Sequence, residues 1–249
     1  MNNRQGKFYG VGVGPGDPEL LTLKALKCIR ECDVLAIPVS APESMDVKYG
    51  RENEDTKKLL EACVAYQIVK PVCPEAADKD MIFLPMPMIK DKELLNKVHD
   101  TCAQAVAELI QGGKDVCFIT LGDPTVYSTC MYVHDRVKQM GCATAVIPGV
   151  TSFCAAAARL DMAIAGNREE IHIIPASYQV EDSLKLPGTK VLMKAGKKMA
   201  VVKETIRKEN LQVRMVENCG METEKVYECL EEIPDQASYY SLMILKEER

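Results

Sequence analysis

Short, almost unbroken apolar runs alternate with amphipathic stretches through the first part of the chain. Lys7–Val13, Val34–Val39, Val116–Leu121 and Ala145–Ile147 contain few polar residues, as expected of parallel strands buried on both faces. Helical spacing follows these runs. Leu21, Ala25, Cys28, Ile29 and Cys32 form one stripe, and Leu94, Val98, Cys102, Ala105 and Leu109 line a second over Asp91–Gln111. Val126, Cys130, Val133, Val137 and Met140 form a third, and Phe153–Leu160 is an alanine-rich helix. Strand, helix and strand repeated in this order predict right-handed crossovers and a mostly parallel sheet.

The pattern changes after Ala165-Gly166-Asn167, which reads as a loop. Ile171–Pro175, Thr189–Lys194, Gln212–Glu217, Lys225–Tyr227 and Tyr239–Leu245 follow as strands, with one clear helix at Met199–Glu209. Strands this closely spaced predict a mixed or antiparallel second sheet. Ser40–Lys58 is polar, Thr56–Gln67 suits a short helix, and Ile68–Met88 is broken by prolines. The segment is long for a connection and reads as a lid-like insertion. The expected organisation is therefore α/β in two domains. Residues 1–148 hold a mostly parallel sheet with an insertion at 40–88, and residues 149–249 hold a mixed sheet.

Two corners stand out. Gly14-Pro15-Gly16-Asp17-Pro18 follows the first strand, and Gly122-Asp123-Pro124 follows the run at Val116–Leu121. In each, the aspartate sits where a helix N-cap would sit and the proline at the first helical position. Pro148-Gly149-Val150-Thr151-Ser152 makes a further strand-to-helix turn. Loops of this kind gather at the carboxyl edge of a parallel sheet, where such sheets bind ligands. The glycines do not spell a dinucleotide fingerprint: counted from Gly10 the third position is Pro15, and counted from Gly12 it is Asp17. No Gly-Lys-Ser/Thr follows, so the loop is not a Walker loop either. Carboxylates at both corners disfavour a bare phosphate. They suit ordinary N-caps, or a ligand that is cationic or offers hydroxyls.

Composition narrows the classes. The net charge of −5 gives no basic field for nucleic acid. No run of 18 apolar residues and no charged-then-apolar leader is present, so neither export nor a membrane partner is expected. Eleven cysteines, an odd number, spread through apolar patterns point to buried thiols in a reducing cytoplasm. The chain has no C-x-x-C pair and its three histidines are far apart, so no metal site is expected.

GVGVGPGDPELLTLKA at Gly10–Ala25, LGDP at Leu121–Pro124 and PGVTS at Pro148–Ser152 together resemble the tetrapyrrole (corrin/porphyrin) methyltransferases. LGDPTVYSTCMYV, PGVTSFCAAAARL and VLMKAG are similar to the branch that methylates C20 of precorrin-2 or its cobalt form in cobalamin synthesis. The resemblance runs from Lys7 to about Leu245. It implies the two-domain class III methyltransferase fold, S-adenosylmethionine as cofactor, a cleft between two lobes and a homodimer. It implies that Pro15 borders the tetrapyrrole and the methyl donor, that Leu121, Gly122 and Asp123 hold the donor, and that Val126 packs near it. Thr151 and Ser152 would hydrogen-bond its polar groups, and Met193 would lie by the adenosine. The polycarboxylate substrate would need cations, for which Lys48, Arg51, Arg159, Arg168, Lys194, Lys197 and Lys198 are the candidates. No residue is assigned as the base that removes the C20 proton. The alternative within the family is methylation at another position, on uroporphyrinogen III or a later precorrin.

Overall fold

The computed structural model describes residues 5–176, 180–195 and 199–247. The chain divides into two compact units, Met1–Val150 and Thr151–Arg249.

In the first unit the strands are β1 (Lys7–Gly12), β2 (Val34–Val39), β3 (Lys48–Gly50), β4 (Asp80–Pro85), β5 (Val116–Thr120) and β6 (Ala143–Ile147). They form one sheet in the order β3-β4-β2-β5-β1-β6. All neighbours are parallel except the edge pair β3·β4. The helices are α1 (Leu23–Glu31), α2 (Lys57–Ala62), α3 (Val64–Val69), α4 (Lys92–Gln111) and α5 (Cys130–Gln139). Ala25 and Ile29 of α1, Leu60 of α2 and Tyr66 and Val69 of α3 bury one face of the sheet, around Val11, Ile37 and Ile119. Val98, Cys102 and Val106 of α4 and Cys130, Val133 and Val137 of α5 bury the other, around Phe8, Ala36 and Phe118. The connection leaving β1 therefore crosses one face and that leaving β5 the other. β1 and β5 are neighbours, so a topological switch point lies between their carboxyl ends.

Three local expectations are corrected. Asp17 caps a single 3-10 turn, Pro18–Leu20, and α1 has its own cap, the Thr22 hydroxyl accepting from Ala25 N at 3.1 Å. Asp123 and Pro124 do not open a helix: α5 begins at Cys130, after a turn in which Tyr127 is left-handed with φ 49°. The segment read as a surface insertion is largely core from Leu60 onward. β4 lies inside the sheet, and its Met81, Ile82, Phe83 and Leu84 are buried. Prolines at 74, 85 and 87 disguise this strand, although Pro85 only ends it.

In the second unit α6 (Ser152–Arg159) precedes β7 (Ile171–Pro175), α7 (Glu181–Leu184), β8 (Thr189–Met193), α8 (Met199–Lys208), β9 (Leu211–Glu217), β10 (Lys225–Tyr227) and β11 (Ser241–Glu247). The sheet order is β10-β9-β11-β8-β7. Only β7·β8 is parallel, so the sheet is mixed, as the strand spacing predicts. The loop at Ala165–Asn167 lies inside this unit, between α6 and β7. Among the described residues no helix is long and apolar enough to cross a membrane.

Candidate active site

Three loops meet at the carboxyl ends of β1, β5 and β6. Val13 N donates to Thr120 O at 3.0 Å, which extends the β1·β5 ladder beyond both strands. Gly14 and Gly122 then exchange backbone bonds, Gly122 N to Gly14 O at 2.7 Å and Gly14 N to Gly122 O at 3.3 Å. The third loop closes on these two. A Cβ on Gly149 would lie 2.2 Å from Gly122 O, and one on Gly12 would lie 2.5 Å from the same oxygen. Only glycine permits this approach, because real Cβ contacts do not come so near backbone oxygen. Gly122 itself is left-handed, with φ 69°, and nothing lies within 4 Å of where its Cβ would stand. The corner is thus tight on its lower side and open above Gly122.

Asp123 fastens the corner. The residue is 7% exposed. One oxygen accepts from Thr125 N at 2.8 Å and from the Thr125 hydroxyl at 2.5 Å. The other accepts from Gly149 N at 2.9 Å, linking the second loop to the third. Charge-assisted bonds to a carboxylate are about twice as strong as neutral ones. Ser128 secures the far end of the loop, pairing with the Thr120 hydroxyl at 2.8 Å and accepting from Cys130 N at 3.2 Å. Neither Ser128 nor the Asp123–Gly149 bond was evident from the spacing of the motifs.

Among the residues singled out from sequence, Pro15 is buried in the first loop, Leu121 and Val126 are half-buried in the second, and Gly122 and Asp123 form the corner. Thr151 and Ser152 open the second unit. Thr151 occupies the N-cap position of α6, yet its hydroxyl makes no capping bond. Its Oγ1 is buried with no hydrogen-bond partner among the described residues. Such a group needs an explanation, and a bound ligand is one. Met193, at the carboxyl end of β8, packs against the apolar cluster shared by α6, β8, β9 and β11, and its carbonyl accepts from Ala176 N at 2.8 Å.

Several cation candidates are committed elsewhere. Arg51 is bound to Asp80 at 2.8 Å, and Arg159 is ion-paired with Glu224. Arg168 precedes β7 and so lies at the opposite end of the parallel β7·β8 pair from Met193. The Lys194 ammonium sits 5.6 Å above the Tyr239 ring on a left-handed backbone with φ 63°. Lys48 is exposed on edge strand β3. Lys197 and Lys198 fall outside the described residues.

Parallel strands, a switch point between β1 and β5 and glycine corners at their carboxyl ends define an α/β fold of the kind that binds ligands at that edge. The model of the tetrapyrrole (corrin/porphyrin) methylases matches residues 7–234, and the chain belongs to that family. It is an S-adenosylmethionine-dependent methyltransferase. A probable cobalt-precorrin-2 C(20)-methyltransferase of Methanocaldococcus jannaschii is 32% identical, over 99% of this chain and 98% of that one. A precorrin-2 C(20)-methyltransferase of Sinorhizobium is 27% identical, over 96% and 95%. The cobalt precorrin-4 methyltransferase structure superposes with a TM-score of 0.66 at 20% identity, covering 96% of this chain and 94% of that one. The uroporphyrin-III C-methyl transferase of Thermus thermophilus, complexed with S-adenosylhomocysteine, gives 0.65 at 20% identity over 97% and 98%. The fold is the class III methyltransferase fold expected from sequence.

Proposed function

We propose that the chain methylates C20 of precorrin-2 or of its cobalt-bearing form, in cobalamin biosynthesis. The observation that carries this reading is likeness over the full length. The relatives at 32% and 27% identity, each aligned from end to end, are both named for C20. Uroporphyrinogen III or a later precorrin is the alternative acceptor.

In this reading S-adenosylmethionine, when bound, supplies an electrophilic methyl group. The residues of the corner fit it. Gly122 leaves open space and a bare backbone, and the lone pair left on the Gly149-bonded oxygen of Asp123 suits a hydroxyl or an ammonium. The unpartnered Thr151 Oγ1 offers a hydrogen bond to a polar group of the donor. We assign Pro15, Leu121, Gly122, Asp123, Val126, Thr151, Ser152 and Met193 to donor binding. The protein's contribution to rate is alignment and exclusion of water, for which proximity alone is worth about 7 kcal/mol or more. We further propose a homodimer that works in the cytoplasm.

The test is anaerobic turnover of purified protein with labelled donor and, side by side, precorrin-2, cobalt-factor II and uroporphyrinogen III. A new methyl signal at C20 from either of the first two supports the reading. Methylation of uroporphyrinogen III alone, or at another carbon, overturns it. Light scattering on the eluted protein reads the dimer.

A further inference from the structure

The loop between β5 and α5 carries a strained aromatic residue to which donor binding gives no role. Tyr127 has a left-handed backbone, with φ 49°. Six non-glycine residues are left-handed among the described residues, and three of them, Asp161, Asn210 and Asn218, have short polar side chains that tolerate it. Tyr127 is the aromatic one. A bulky side chain is costly there, because its Cβ crowds the following carbonyl oxygen.

The chain is fixed on both sides of this residue. Val126 N donates to Asp123 O at 3.2 Å, and Thr125 is bonded to the Asp123 carboxylate. The Ser128 hydroxyl pairs with that of Thr120 and accepts from Cys130 N. The loop therefore dictates the backbone at 127. A left-handed turn by itself would be served by glycine or asparagine. The residue found is instead a tyrosine, 51% exposed and outside both core clusters of the first unit. Its ring also leaves the donor corner clear: apart from the chain neighbours of Gly122, no atom lies within 4 Å of where a Cβ on that glycine would stand. Open corner and exposed ring are separate parts of one loop at the carboxyl edge of the sheet.

We propose that Tyr127 is a positioning residue for the acceptor, offering an aromatic surface against which one face of the tetrapyrrole macrocycle packs. This role depends on the reading above only in taking a tetrapyrrole as the acceptor. A flat ring with carboxylates around its rim has only its faces for apolar contact. Stacking of such a face on an aromatic side chain contributes beyond the area buried and needs no cation from the protein. The strained backbone is kept because it holds the ring out of the core and beside the corner. The contact is made alike before and during methyl transfer, so it acts on KM and not on kcat.

The experiment compares Tyr127→Asn and Tyr127→Phe in the full chain. The acceptor is whichever of precorrin-2, cobalt-factor II and uroporphyrinogen III the unmodified protein methylates. Methylation away from C20 overturns the C20 reading and leaves this test intact. If none is methylated, titration of cobalt-factor II followed by its absorbance gives a Kd in place of KM. Y127N keeps a residue that tolerates the backbone and removes the ring. It should raise the acceptor KM about tenfold at unchanged kcat, bind S-adenosylhomocysteine in the calorimeter as the unmodified protein does, and melt no lower. Y127F keeps the ring and should keep the original KM. An unchanged acceptor KM in Y127N overturns the proposal, and so does weaker binding of S-adenosylhomocysteine, which would put the ring at the donor. A melting temperature lower by about 4 °C or more in Y127N overturns it in favour of a packing role. Y127F behaving as Y127N also overturns it, because the contact would then belong to the hydroxyl.

Discussion

The triplet Gly-Asp-Pro occurs twice in this chain and does two different things. At Asp17 it is local: the carboxylate accepts from Glu19 N at 2.8 Å, caps one 3-10 turn and faces solvent. At Asp123 it is architectural: the carboxylate is buried and binds Thr125 in its own loop and Gly149 twenty-six residues on. The difference comes from the topology. The loop after β5 reaches past the carboxyl end of β1 to the loop after β6, where Gly149 N is within reach of its carboxylate. The same three residues act as punctuation in one place and as a clamp in the other.

The hardest test of this contrast is Gly149→Ala. The added Cβ would stand 2.2 Å from Gly122 O with backbone on both sides, so nothing flexible can yield. A stability loss of about 3 kcal/mol is expected, read as a shift in the urea midpoint at unchanged slope. Next comes the aspartate pair. Asp123→Ala removes the acceptor of the part-buried Gly149 and Thr125 N–H bonds and should cost about 2 kcal/mol, whereas Asp17→Ala should cost about 1 kcal/mol or less. Equal costs would erase the distinction. Thr151→Val keeps shape and removes a hydroxyl that has no hydrogen-bond partner among the described residues. Its stability should be unchanged, while calorimetric affinity for S-adenosylhomocysteine should fall roughly tenfold, about 1.4 kcal/mol, within the usual range for one hydrogen bond.

The smallest effect is a pH dependence carried by the packing of α4 on α5. His99 is 3% exposed and stacks on Tyr132 with ring centroids 4.9 Å apart. Burial holds its pKa below the ordinary value, and the nearby Arg136 adds to this. The folded state therefore binds the proton less readily than the unfolded chain. The stabilisation from neutral His99 is complete above about pH 6.5, the unfolded value, and is lost as pH falls below it. Thermal melts from pH 7.5 to 5.5 should show a decline that His99→Phe flattens. At lower pH Glu169, held at about 2 chiefly by the Gly166 N–H and the Thr189 hydroxyl, adds a further loss as pH drops below the usual carboxylate range.

Much of the architecture was legible because it rests on apolar runs. β1, β2, β5 and β6 are short buried strands, and the mixed second sheet follows from closely spaced ones. β4 was not legible, since its Met-Ile-Phe-Leu core sits between prolines that elsewhere mark loops. The stripe of α4 was placed nearly right, with Val98 and Cys102 in the core and Ala105 and Leu109 packed against it, but the buried face is centred nearer Ala103 and Ala107. Leu94 is 40% exposed, while Ala103, Val106, Ala107 and Ile110 are buried. The late start of α5 has a cause that spacing hides. Asp123 spends its side chain across loops, and Tyr127, a non-glycine residue, takes a left-handed backbone that interrupts the helical pattern. The motif residues were legible as a set. Their bonding was not, because the partner of Asp123 is a backbone N–H far along the chain.

The central claim is that the corner around Gly122 receives the methyl donor. Its most direct test is a crystal structure of the protein with S-adenosylhomocysteine. The account predicts ligand density against the backbone of Leu121–Asp123, filling the open side of Gly122. Density elsewhere on the molecule, with the space above Gly122 still holding only solvent, would contradict it.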